Sequence, residues 1–402
     1  MGSPSTAKSL PLAIVLGGTE NGLTALRTLA EQGIPCALAT DDSTDLALAS
    51  RLPKHVFSGE CADRVLEDVL AFAPRQPSPP VLLVTSDAFL RACDRQRQYL
   101  PVRVGIQLAS SDAIDRVLDK RRFCLTSCLA DAPLARGCGL SVPPSTEEIA
   151  AVLALNLPVI LKRADTSRQT AADSRAALGH SKAARYDELG RLAAALDRAG
   201  EAEVSLLAQE YIPGDDSDHY SYMAYLGADG TEHVAYGVRK HRLSPIHHGS
   251  ATCASLVDEP ALIEAGRTVA HALDYRGAIS VCFKRRPDTG AFVCYEVNGR
   301  LPLVHSVGHL AGHSLVLAAY NDQAGTSFRL TPEAKSPRAL WMCLARDARA
   351  ARAYRRAREL GTIRWLWSLR HVERVAEWSW RDPWPAMVSF KRLIRPRRSP
   401  AR

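Results

Sequence analysis

GAISVCFKRRPDTGAFVCYEVNGR, residues 277–300, decides how the rest of the chain is read. Two runs of buried-strand composition, AISVCFKR and FVCYEVN, flank a short PDTG turn, so the stretch predicts a β-hairpin. Side chains two apart along a strand share a face. Glu296, Asn298 and Arg300 therefore project together, two oxygen ligands beside a guanidinium. That set suits a magnesium-bound polyphosphate and an anionic substrate.

Outward from the hairpin the chain stays strand-rich. YSYMAYL, a turn at Asp229–Gly230 and HVAYGVRK come first, then a helical ALIEAGRTVAHAL. Further upstream, helix and strand alternate: EEIAAVLALN, PVILKRA, DELGRLAAALDRAG, SLLAQEYI. SSDAIDRVLDKRRFC (110–124) reads as one helix capped by Ser110 or Ser111, placing Lys120 near its end. A lysine on a surface helix is usually only a solvated charge. Lys162 is less ordinary, because it follows PVIL and should emerge from a buried strand.

The first hundred residues alternate in the same way. LAIVL, IPCALAT and VLLVTS read as strands and LTALRTLAEQG as a helix, with PRQPSPP (74–80) as a loop, which argues for a parallel sheet between helices. The turn GGTENG is GGxxxG rather than the dinucleotide fingerprint GxGxxG, so a packing turn is preferred over a cofactor loop. No internal repeat is visible.

Bulk properties narrow the class. In 402 residues, 46% are hydrophobic and 23% charged, which excludes general disorder. The ten cysteines form no CxxC pair, and Cys124 and Cys128 have no second ligand pair, so a reducing cytoplasm is expected. No secretory leader is read at the start, and no run approaches the ~20 apolar residues of a membrane span. The net charge is +8, and residues 346–402 carry sixteen Lys/Arg against five Asp/Glu. That is +11, leaving −3 for the first 345 residues, so the basicity belongs to the tail.

In order and spacing, DKRRF, PVILKRA, LLAQEYIPG, GVRKHRLSP with HHGS, the hairpin ending in EVNGR, and the late RDPWPA resemble the ATP-grasp superfamily, in particular its predicted carboxylate–amine ligase branch. The likeness runs over roughly residues 12–390, with its specific motifs between 119 and 300. It implies an α/β chain with a Rossmann-like domain (1–109), a small lobe (110–211), a large lobe (212–330) and a basic, tryptophan-rich helical tail (331–402). It implies ATP and Mg²⁺ as cofactors and ligation of a small carboxylate to an amine, an amino acid or peptide, through an acyl phosphate. By the resemblance, Lys120 and Lys162 hold phosphates, and Gln209, Glu210, Tyr211 and Ile212 form the adenine hinge, with Asp218 near the ribose. Arg239 and Lys240 face the acyl phosphate, Glu296 and Asn298 hold magnesium, and Arg300 orients the substrate carboxylate.

One position departs from the pattern. The glutamate expected fourteen residues before Glu296 is Cys282, and a thiol is a poor ligand for a hard cation. An active ligase with water completing the metal shell and a nucleotide-binding protein without turnover both fit this departure. His247 and His248 are candidate bases or plain loop residues. His305, His309 and His313, four apart, could bind zinc if helical, or simply pack.

All six tryptophans lie from Trp341 onward, interleaved with arginines. RWLWSLRHVERVAEWSW reads as an amphipathic helix. Packing on the body or on a second subunit is the first reading, and a peripheral membrane contact the second. Nucleic acid is not expected, since no binding module accompanies the charge. The final KRLIRPRRSPAR is expected to be disordered.

Overall fold

A computed structural model describes residues 10–394 except 101, 127–128, 130–131, 165–177 and 179–182. Cys128 and the arginine-rich end from 395 onward, on which expectations were placed, lie outside these described residues.

Three sheets follow one another along the chain. β1 (Ala13–Leu16), β2 (Cys36–Thr40), β3 (Val56–Ser58) and β4 (Val81–Val84) form a parallel sheet in the order β3-β2-β1-β4. The glycine-rich turn after β1 is a packing device. Gly17 has φ +109°, and a Cβ on Gly22 would lie 2.0 Å from the Gly17 carbonyl oxygen. Asn21, in the helix Glu20–Glu31, donates to the carbonyls of Thr85 and Leu301 at 2.8 and 2.9 Å. The turn thereby ties the first sheet to the chain just beyond the EVNGR motif.

The second sheet is antiparallel. β5 (Gly137–Leu140), β6 (Val159–Arg163), β7 (Ala183–Tyr186) and β8 (Leu206–Glu210) run in the order β5-β8-β6-β7. The helices Thr146–Ala154 and Leu189–Glu201 share its apolar core. A capping box of Ser145 and Glu148 starts the first of these.

The largest sheet has seven strands: β9 (His219–Leu226), β10 (Glu232–Ser244), β11 (Ser250–Val257), β12 (Gly277–Arg285), β13 (Phe292–Asn298), β14 (Leu340–Met342) and β15 (Val372–Val375). Their order is β13-β12-β9-β10-β11-β14-β15. The helix Pro260–Ala272 crosses it, and a Cβ on Gly266 would meet the Tyr222 ring at 2.2 Å, so only glycine permits this approach. One apolar core joins Ala13 and Leu38 of the first sheet to Met223, Val238 and Trp341 of the third.

Two expectations change. The helix over 110–124 is broken: Asp119 is extended (φ −97°, ψ 104°) and caps a new helix, Lys120–Cys124. Lys120 thus starts a helix rather than ending one, with its amide bonded to Ala164 O at 2.9 Å. The C-terminal region is not a purely helical tail. β14 and β15 are strands of the large sheet, and RWLWSLRHVERVAEWSW divides into the helix Thr362–Leu369, then β15, then a turn. Trp341, fully buried, donates its indole N–H to Ser306 Oγ at 2.8 Å.

Candidate functional site

A cavity of about 430 Å³ opens where the second and third sheets meet. The hairpin β12–β13 supplies one wall. Cys282 lies directly opposite Glu296, and Ser280 opposite Asn298. A bulge follows, because the next residue of β12, Phe283, pairs with Cys294 and leaves Tyr295 without a partner. The extra residue turns the Tyr295 side chain into the cavity beside Glu296.

Three ammonium groups converge on this wall. Lys120 Nζ is 3.0 Å from Glu296 Oε1. Lys162, on β6, donates to Gln209 Oε1 at 2.7 Å and to the Tyr295 carbonyl at 3.3 Å, with its Nζ 4.9 Å from the Tyr295 ring centre. Lys240, on β10, donates to Tyr295 Oη at 3.2 Å and Cys282 Sγ at 3.4 Å. Burial pulls the Lys162 ammonium down to about 8, with Glu296 opposing and Lys120 reinforcing the shift. Burial alone would raise the Glu296 carboxyl, but Lys120 and Lys162 outweigh it and hold the group at about 2. Lys240 is raised, because Cys282, Tyr295 and Glu296 overcome the effect of its burial.

Gln209, Glu210, Tyr211 and Ile212, expected at the hinge, all line the cavity. The Glu210 carboxylate is a strut, accepting from the Arg136 amide at 2.9 Å and from Arg286 at 3.0 Å. The Tyr211 ring lies between the Arg185 guanidinium (4.2 Å) and the Lys284 ammonium (5.0 Å), and its amide bonds Pro158 O at 3.3 Å.

Two arginines close the far end. Arg300 donates to Asp87 Oδ1 at 3.0 Å and Asn298 Oδ1 at 3.2 Å. Arg346 holds both Glu20 oxygens at 2.8 Å in a bidentate pair. Both carboxylates sit in the first turns of helices from the first sheet's layer.

Two expected members are elsewhere. Arg239 neighbours Lys240 on the same strand, so its side chain points to the opposite face, where it donates to Ser217 O at 2.8 Å. Asp218 does not line the cavity. Its carboxylate accepts from the Asp215 amide at 2.8 Å and closes the turn before β9. The sequence reading missed His219, Tyr295 and Arg346. His219 and Ser221 alternate along β9 toward the cavity, a period-2 signal that was available. Burial, then Lys240 and Lys284, hold His219 well below the usual histidine range, so its ring is neutral.

His247 and His248 line the cavity mouth. His247 Nδ1 is 3.5 Å from Asp216 Oδ1 and its Nε2 3.3 Å from Glu359. His305 and His309 are buried packing groups, with His305 Nε2 2.9 Å from Thr24 Oγ1, and His313 stacks on Tyr236. No group of three His, Cys, Asp or Glu that could hold a metal occurs among the described residues, which removes the zinc reading there.

No protein-family profile and no curated protein matches this sequence. Solved structures do match. An N5-carboxyaminoimidazole synthetase from Staphylococcus aureus, complexed with ADP, superposes with a TM-score of 0.60 at 12% identity, covering 80% of this chain and 79% of that one. A synthase of the same type from Aspergillus clavatus, with ADP and 5-aminoimidazole ribonucleotide, gives 0.58 at 15% identity over 80% and 78%. A Campylobacter jejuni biotin carboxylase β,γ-ATP complex gives 0.56 at 16% identity over 81% and 73%.

The chain has the ATP-grasp fold. Within this fold the small antiparallel sheet supplies Lys162, Gln209 and Glu210, and the large sheet supplies Lys240, Glu296 and Asn298.

Proposed function

We propose that the protein is an ATP-dependent carboxylate–amine ligase working through an acyl phosphate. The observation that carries this reading is the convergence of Lys120, Lys162 and Lys240 on Glu296 and Asn298 in one cavity of an ATP-grasp fold. The similar structures solved with ADP or an ATP complex support a nucleotide here. Lys120 and Lys162 take the phosphates, and the Gln209–Ile212 segment takes the adenine. Asp218 and Arg239 leave the set. The lobes are taken as 110–211 and 212–330 after a Rossmann-like 1–109, with 331–402 contributing β14 and β15 to the large lobe.

The donor set fits Mg²⁺. Glu296 and Asn298 present two oxygens from one face of β13, and a magnesium shell is ordinarily completed by water and nucleotide phosphates. The ion would supply charge neutralisation on the transferred phosphoryl group. The chain's own part is electrostatic. A substrate carboxylate held by Arg300 and Arg346 attacks the γ-phosphorus, forming an O–P bond while ADP departs. The ammonium groups of Lys120, Lys162 and Lys240 neutralise charge on the transferring oxygens. The amine then attacks the acyl carbon, phosphate leaves, and the amine gives up a proton. His248 lines the cavity and, through burial, is shifted toward its neutral form, so it is placed as the acceptor.

The test is ATP consumption with phosphate release on pools of carboxylates and amines. Lys162→Ala and Glu296→Ala should each lower turnover by about 10²–10³; wild-type rates in both variants would sink the assignment. A second reading, nucleotide binding without ligation, is favoured by Cys282, whose Sγ faces Glu296 and contacts Lys240 where a second carboxylate would serve a hard cation.

A further inference from the structure

The helix Thr362–Leu369 is mounted with its apolar stripe facing outward. Its inner side is fixed: Trp365 donates its indole N–H to the buried Asp347 carboxylate at 2.8 Å. On the other side Ile363, Leu366 and Trp367 are 74%, 52% and 62% exposed, at the i, i+3, i+4 spacing that normally marks a core face. Arg370 continues the stripe, its guanidinium 4.2 Å from the Trp367 ring centre.

The helix Trp384–Ile394 repeats the arrangement. Val388 packs inward against the main core and the Trp384 ring lies 4.1 Å from the Arg51 guanidinium, while Met387 and Phe390 are exposed. Between the helices Trp380 is 85% exposed and stands edge-on to Trp378, ring centres 4.9 Å apart.

Charge selects what covers this surface. Arg364, Arg370, Arg381, Lys391 and Arg392 are exposed in the same segment. Of its three carboxylates, Glu377 and Asp382 are buried, leaving Glu373 near the surface. A second copy would bring two cationic faces together. A nucleic acid would use the cations but leave Ile363, Leu366 and Phe390 without a role. Exposed aromatic and aliphatic side chains interspersed with arginine and lysine match an interface of acyl chains beneath anionic headgroups. No helix among the described residues is long and apolar enough to cross a membrane.

We propose that residues 362–392 dock the protein onto the surface of an anionic lipid bilayer, lying in the interface without spanning it. The proposal does not depend on the ligase reading.

The full chain should co-sediment with vesicles of equimolar phosphatidylglycerol and phosphatidylcholine, and far less with phosphatidylcholine alone. Raising salt should weaken the binding. R370A/R392A should lower the partition coefficient about thirtyfold, because each cation near an anionic leaflet contributes about a factor of five. W367S/F390S should abolish co-sedimentation with the thermal unfolding curve unchanged, since both side chains are exposed. Equal recovery in the pellet with and without anionic vesicles overturns the proposal. So does a concentration-dependent dimer that W367S/F390S dissociates, or duplex DNA binding that the double serine variant retains while vesicle binding is absent.

Discussion

If Lys162 takes the phosphates as proposed, nucleotide binding should consume a proton. Its ammonium faces Lys120, Cys124, Cys282 and Glu296 in a buried setting, and its pKa is about 8. At pH 8 about half of the free protein therefore lacks this proton. A polyphosphate placed against Nζ favours the charged form and returns the pKa toward the ordinary lysine value near ~10. Binding of ATP should then take up about 0.1 proton at pH 7, 0.5 at pH 8 and 0.8 at pH 9. The sign follows from the same shift. The full affinity is present below the free-state pKa and falls by about tenfold per pH unit above it, until the pH reaches the bound-state value. Calorimetry of metal-free ATP binding, repeated in buffers of differing ionisation enthalpy, reads the uptake directly. Lys162→Met should remove it, which separates Lys162 from the two thiols. An uptake below about 0.1 proton at pH 8.5, or the same uptake in Lys162→Met, would refute the assignment of this lysine to the phosphates.

Three further outcomes are expected. Cys282→Glu should lower Mg²⁺-dependent ATP turnover of the proposed ligase, because it replaces the thiol that contacts Lys240, whereas a gain of about tenfold would mean a degraded site that had lacked an oxygen ligand opposite Glu296. Asp347→Ala should cost about 3–5 kcal/mol in urea denaturation, because it strands the buried Arg242 guanidinium now bound at 2.8 and 3.0 Å. Truncation after residue 330 should yield insoluble protein by expression and sedimentation, because it removes β14, β15 and the fully buried Trp341 from the large sheet.

Much of the architecture could be read from local signals. The β12–β13 hairpin announces itself by two strand runs around a PDTG turn, and Lys162 by its place at the end of PVIL. The errors at the site share a cause: they concern which way a side chain points after long-range pairing. Arg239 and Lys240 were read as a pair, yet adjacent strand residues face apart, and only the β9–β10 register says which one meets the cavity. Tyr295 enters through a bulge that no propensity marks. Arg346 reaches the cavity from a segment read as an appendage, held by Glu20 more than three hundred residues earlier in sequence. The short strand VERV was absorbed into an amphipathic helical pattern because its neighbours are tryptophans and arginines at mixed spacing. Asp119 was read through as helix because a single extended residue between two helical turns leaves the apolar spacing intact.

The first helix carries a charge whose partners are made long after it. Arg27 is 4% exposed and donates to the carbonyls of Ala376, Glu377 and Asp382 at 2.9, 3.0 and 2.8 Å, with the Asp382 carboxylate at 3.4 Å. Every one of those acceptors is translated about three hundred and fifty residues after Arg27. While the chain is still on the ribosome, the parallel sheet can form but its helix must keep a guanidinium in water at a place destined to be dry. The N-terminal layer therefore cannot finish folding first and wait. Its completion waits on the arrival of residues 376–382, and synthesis that stops before them leaves this guanidinium without its acceptors.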